Sequence, residues 1–175
     1  MKNLIVIITF LMASASSFAQ SVFDKFEDKD EIVSVIVNKK MFEIMSKVKV
    51  DAKDKEMQQY MNLLKKLDNL KVFTTSSAKY GADMKATVTS YLKSNPLEEL
   101  MRVNGDGKNV KIYVKSGAND TIVKELLMFI EGANKKDANT IVLSLTGNFN
   151  LDEIAVLTEK MNLPGGDDLK KASKK

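Results

Sequence analysis

Two acidic pairs, one serine–lysine spacing and two methionine pairs are the positions at which this chain could do chemistry. Glu98-Glu99 and Asp152-Glu153 set carboxylates side by side. Glycoside hydrolysis needs such a pair, one as acid and the other as nucleophile or base. Ser90-Tyr91-Leu92-Lys93 has the Ser-x-x-Lys spacing, in which an amine can activate a hydroxyl, but the companion motifs of penicillin-binding enzymes are missing. Met41/Met45 and Met57/Met61 are i, i+4 pairs whose thioethers could hold Cu(I) from one helix face. Asn104-Gly105-Asp106-Gly107-Lys108-Asn109 has the glycines of a calcium loop without its run of oxygen ligands or its closing glutamate.

Each feature also has a plainer reading. Both acidic pairs are expected in the first turn of a helix, where negative charge meets the free N–H groups and the positive end of the dipole. The methionine pairs continue into Val48 and Leu64, so each extends an apolar helix stripe. The Asn/Gly cluster supplies the positive φ angles of a tight turn.

What the chain lacks excludes more. It has no histidine and no cysteine among its 175 residues. Without them there is no Ser-His-Asp or Cys-His constellation, no thioredoxin-like couple and no histidine-based zinc site. No Gly-x-Gly-x-x-Gly or Walker loop is present. Tryptophan, the usual platform for sugar stacking, is also absent. The sequence therefore assigns no catalytic residue, no cofactor and no metal ligand, and reads as a binding or regulatory protein rather than an enzyme. Two alternatives stay open: a carboxylate-dependent hydrolase of envelope polymer, and a methionine-based copper carrier.

The elements that must position these residues follow from apolar spacing. Glu31 to Asn38 is β-branched and reads as a strand, and Lys39 to Val48 follows at helical spacing. Val50 to Lys55 is a charged connector. Met57, Tyr60, Met61, Leu64 and Leu67 form one stripe of a helix over Lys55 to Leu67. A strand over Leu70 to Thr75 and a helix over Tyr80 to Ser94 come next. Asn95-Pro96 predicts a capped start for a short helix from Leu97 to Val103, which carries Glu98 and Glu99.

Strands are expected over Val110 to Lys115, Thr121 to Glu131 and Thr140 to Thr146, with helix the alternative over Thr121 to Glu131, where Lys124, Glu125, Leu126, Leu127 and Met128 all favour it. A final helix over Leu151 to Asn162 has Asn150 and Glu153 at capping-box spacing. The expected fold class is α+β, a two-layer sandwich. It has a mostly antiparallel or mixed sheet of about five strands with helices on one face, a ferredoxin-like variant.

The first 19 residues read as a secretory signal peptide: Lys2, an apolar run from Leu4 to Ala13, and Ser17-Phe18-Ala19 before cleavage at Ala19/Gln20. That run is shorter than the roughly 20 residues a bilayer-spanning helix needs. Residues 20–163 are then a single domain, and 164–175 a disordered lysine-rich tail. No later apolar run is long enough to span a membrane. With no cysteine there is neither a disulfide framework nor a site for a lipid anchor. The expected location is the periplasm, with secretion as the alternative. Without Lys2 and the four tail lysines, 22 basic residues stand against 23 acidic, and arginine occurs once, at Arg102. No nucleic-acid partner is expected.

The order of these pieces resembles an uncharacterised family of bacterial envelope proteins, domain of unknown function 4252. The likeness is carried by Lys39-Lys40-Met41-Phe42, Leu67-Asp68-Asn69-Leu70-Lys71-Val72, Glu98-Glu99-Leu100-Met101-Arg102-Val103, and the run from Ser144 through Gly147 and Leu151 to Ile154. It spans roughly Phe23 to Leu169. The resemblance implies an exported single domain with no established activity, and by association a link to envelope-stress signalling through extracytoplasmic sigma factors. It adds no catalytic residues. The implied partner is an envelope protein whose identity, like the oligomeric state, the sequence leaves open.

Overall fold

The segment Ile122–Gly132 is apolar at both parities, with Leu126, Met128 and Ile130 alternating against Leu127 and Phe129, all buried. A strand of this kind must be covered on both sides, because successive side chains leave opposite faces of a sheet. In a computed structural model, which describes residues 22–168 apart from 52, 106, 120 and 133–138, that is how the sheet is dressed.

Six strands are present among the described residues: β1 (Val33–Asn38), β2 (Leu67–Thr75), β3 (Glu98–Gly105), β4 (Lys108–Ser116), β5 (Ile122–Gly132) and β6 (Thr140–Asn150). They form one sheet in the order β1-β2-β6-β5-β4-β3, every pair antiparallel. The helices are α1 (Lys39–Met45), α2 (Lys55–Leu64), α3 (Ala78–Ser94) and α4 (Ile154–Lys160), with 3-10 turns at Asp24–Phe26 and Leu151–Glu153.

One core lies between the face carrying Leu126, Met128 and Ile130 and the residues Phe42 of α1, Leu63 and Leu64 of α2, and Ile154 and Leu157 of α4. The other lies between Phe73, Leu127, Phe129 and Val142 and the residues Phe23, Phe26, Met84, Val88 and Tyr91, the last three on α3. The α+β class and the antiparallel sheet are as expected, whereas helices on one face and about five strands are corrected to helices on both faces and six strands.

The extra strand is β3. Leu97 to Val103 is not a helix: Glu98–Gly105 pairs with β4 in a hairpin whose two-residue connection contains Gly107 at φ 74°. Asn95 ends α3 instead of starting a helix, its backbone N–H and side-chain amide both donating to the Tyr91 carbonyl. Local helix preference of Leu97 to Met101 yields here to strand pairing, which carries Met101 into the core opposite Ile112.

Local signals hold elsewhere. Asn38 and Asp54 cap α1 and α2, accepting the N–H of Met41 and Met57 at 3.0 Å each. Residues 165 and 168, expected in the tail, pack on the sheet: Asp168 is buried and bonds Lys108 of β4 at 2.7 Å, and Gly165, at φ 76°, lies so close to Met128 and Ile130 that a Cβ would meet both. Residues 169–175 and residues 1–21, which include the expected cleavage site at Ala19 and Gln20, lie outside the described residues.

Candidate functional site

Glu125 is the residue that least belongs where it sits. It occupies β5 on the face of Leu127 and Phe129, and it is 7% exposed. A buried carboxylate needs a donor. Tyr91, in the last turns of α3, supplies it, its hydroxyl donating to Glu125 Oε1 at 2.6 Å. Burial raises the Glu125 carboxyl above its ordinary pKa, opposed by the Tyr91 hydrogen bond and the Lys115 charge. Burial, then the Glu125 carboxylate, pushes the Tyr91 phenol far above its ordinary range. The phenol is therefore fixed as donor at any ordinary pH.

The register of β4 continues this polar ground outward. Lys115 stands opposite Glu125, Tyr113 opposite Leu127 and Lys111 opposite Phe129, so all three share the face of Glu125. On β3, Glu99 stands opposite Tyr113 and Arg102 opposite Lys111. The Arg102 guanidinium grips Glu99 with two bonds, Nε to Oε1 at 2.9 Å and Nη2 to Oε2 at 2.6 Å. Those bonds hold the Glu99 carboxyl below its usual range. Burial, then the Glu99 charge, raises the Tyr113 phenol.

Helix α3 lies over β5 and β6 on this face, and Lys111, Tyr113 and Lys115 are half-buried beside it. The result is a strip of Glu99, Arg102, Lys111, Tyr113 and Lys115, backed by the Tyr91–Glu125 pair. With Glu99 matched by Arg102, Lys111 and Lys115 leave the strip positive. It can hold an anionic group, and its phenol offers a flat contact.

A second charged cluster is structural. The Lys71 ammonium on β2 is bonded by Asp24 and, at 2.6 Å, by Glu27. Burial works to lower its pKa, but the two carboxylates outweigh that and raise it. This grip fastens the 3-10 turn and its Phe23 and Phe26 over the sheet.

The positions singled out in the sequence do not come together. Glu98 and Glu99 stand opposite Val114 and Tyr113, hence on opposite faces of the sheet, and not in a helix turn. Asp152 and Glu153 do lie in a first turn. Glu153 accepts the Asn150 N–H at 3.0 Å and pairs with Lys66 at 2.6 Å, while Asp152 is exposed. Ser90 and Lys93 are exposed on α3.

Met45, Met57 and Met61 pack against the core, as packing stripes require, while Met41 is half exposed. Among the described residues, no group of three or more histidine, cysteine, aspartate or glutamate side chains is arranged to hold a metal. A shallow concavity of about 280 Å³ between α1 and α2, lined by Ser46, Val48, Met61 and Lys65 among others, lies on the side of the sheet away from Glu125.

Sequence reasoning missed Tyr91, Glu125 and the Lys71 cluster as interacting groups. The signal for Glu125 was available: one carboxylate within an apolar run has to be met by a donor. Its partner was not, because 34 residues separate it from Tyr91.

Comparison with known proteins places residues 26–157 in the family described as Domain of unknown function (DUF4252), and the chain belongs to that family. No curated protein matches the sequence. Among solved structures, the chain is similar to the Saccharomyces cerevisiae Ran-binding protein Mog1p at 11% identity and a TM-score of 0.28, the match covering 61% of this chain and 64% of that one.

Proposed function

We propose that this DUF4252 member is an exported, non-catalytic protein of the cell envelope that binds an acidic segment of another envelope protein on the β3–β4 strip. Support for export comes from the first 19 residues, which carry the charge, apolar run and small-residue cleavage site of a signal peptide. No helix among the described residues is long and apolar enough to cross a membrane. The periplasm is the proposed location, and the link to envelope-stress signalling is part of the same proposal.

The binding reading rests on one observation. The acids nearest the strip are engaged from within, Glu125 by Tyr91 and Glu99 by Arg102, while Lys111 and Lys115 stay half exposed beside Tyr113. Groups so satisfied brace a surface. They are poorly placed for proton transfer, which needs a carboxyl within reach of a substrate. Against a paired-carboxylate hydrolase stand the splitting of Glu98 and Glu99 across the sheet and the engagement of Glu153 by Lys66 and the Asn150 N–H. Against a copper site stands the packing of Met45, Met57 and Met61 on the core.

The test is a capture experiment in intact cells with the tagged mature protein and its Lys111→Glu/Lys115→Glu variant. One envelope protein recovered by the parent and lost with the variant supports the proposal. Equal recovery by both, or a purified-protein activity on envelope polymer that disappears with Glu125→Gln, would count against it.

A further inference from the structure

The two edges of this sheet are built differently, and the difference points to a second copy of the chain. β3, at one edge, carries Glu98, Glu99 and Arg102 and is interrupted by a bulge between Glu99 and Met101. Charges and bulges are the devices that keep an edge strand from pairing with another chain. β1, at the other edge, has none of them.

Val33 to Asn38 contains no charged residue and no proline, and it pairs with β2 residue for residue without a bulge. Val33, Val35 and Ile36 are 70%, 44% and 42% exposed. In an antiparallel edge strand, alternate residues turn their N–H and C=O groups to the open side, ready for a further strand.

The flanks say which strand fits. Asp28, Asp30 and Glu31 precede the uncharged run, with Lys29 as the lone base among them, and Lys39 and Lys40 follow it. The run is its own charge complement when reversed. Laid antiparallel on a second copy with Val35 opposite Val35, Val33 meets Val37 and Ser34 meets Ile36, and the acidic turn at Asp30–Glu31 lies at the end of the seam where the second copy's Lys39 and Lys40 open α1. A parallel pairing would set acid beside acid and lysine beside lysine, which is destabilising. In the single chain Lys39 and Lys40 pair with Asp68 and Glu43 at 2.8 and 3.8 Å, at sites exposed enough to exchange partners.

We propose that two copies pair through β1 in this register, giving a continuous antiparallel sheet of twelve strands. The twofold axis stands normal to that sheet, so both α1 helices lie on the side of Val33 and Val35. There Met41 and Ile44, 50% and 54% exposed, add apolar surface beside the seam. The two β3–β4 strips are left at the far ends.

The test uses the full chain as the cell processes it. Sedimentation should give twice the chain mass, and Val35→Lys, which sets two ammonium groups across the dyad, should halve that mass while leaving the far-ultraviolet circular dichroism unchanged. Since the chain has no cysteine, Val35→Cys adds one thiol, and directly opposed Cα atoms in an antiparallel pair fall within disulfide range. Mild oxidation should join Val35→Cys into a covalent dimer much faster than Lys93→Cys on α3. A parent that sediments as a monomer throughout the micromolar range, a Val35→Lys variant that keeps the doubled mass, or equal crosslinking at both positions would overturn the proposal.

Discussion

The Tyr91 hydroxyl donates a 2.6 Å hydrogen bond to the Glu125 carboxylate, joining the end of the long helix to the middle of the sheet. Tyr91→Phe removes that donor and leaves a carboxyl buried without it, so about 1–3 kcal/mol of stability should be lost in urea unfolding. Glu125→Gln keeps an acceptor for the phenol and should cost less than Tyr91→Phe.

The same pair sets a pH dependence. Burial raises the folded-state pKa of Glu125 above its unfolded value, so the native state holds the proton more tightly. Its contribution is full below the ordinary glutamate pKa and is lost as pH rises through the raised value. Unfolding measured across that window should show stability falling with pH in the parent, and a flatter profile in Glu125→Gln.

Lys71 is predicted to carry the attachment of the N-terminal turn. Lys71→Met keeps the stem and removes the charge that Asp24 and Glu27 share, at a cost of about 1.5–3 kcal/mol. Hydrogen exchange should quicken first around Phe23 to Ile32 and leave β5 protected.

Gly147 tests a close backbone approach. It stands opposite Leu67 beside a bulge in the β2–β6 register, and a Cβ there would run into the Lys66 carbonyl oxygen. Because the obstacle is backbone, Gly147→Ala should destabilise by about 1–3 kcal/mol in the same unfolding assay.

Export makes a separate prediction. Mass spectrometry of the protein recovered from the periplasmic fraction should find an N-terminus at Gln20. A chain retaining Met1 or Lys2 in the cytoplasm would contradict it.

How much of this was legible in the sequence depended on whether a signal was local. Helices α2 and α3, and strands β4 and β6, were readable because periodicity and turn residues agree over each, whereas β5 was read as a strand against the helix preference of Lys124 to Met128. The capping partner Glu153 was readable for the same reason. Leu97 to Val103 was misread because Pro96, two glutamates, two leucines and a methionine all favour a helix start, and only pairing with β4 decides otherwise. The two-sided core could have been inferred from Leu126 to Ile130, apolar at both parities. Long-range meetings such as Tyr91 with Glu125, or Lys71 with Asp24 and Glu27, leave no mark that one sequence displays.

The most direct test of the binding account is a photo-crosslinking amino acid placed at Tyr113 in living cells, with Ser90 on α3 as the comparison site. The account predicts a discrete crosslinked product from position 113 containing one other envelope protein, lost when Lys111 and Lys115 are reversed in charge, and no such product from position 90. Equal products from both sites, or none from position 113, would contradict a binding surface on the β3–β4 strip.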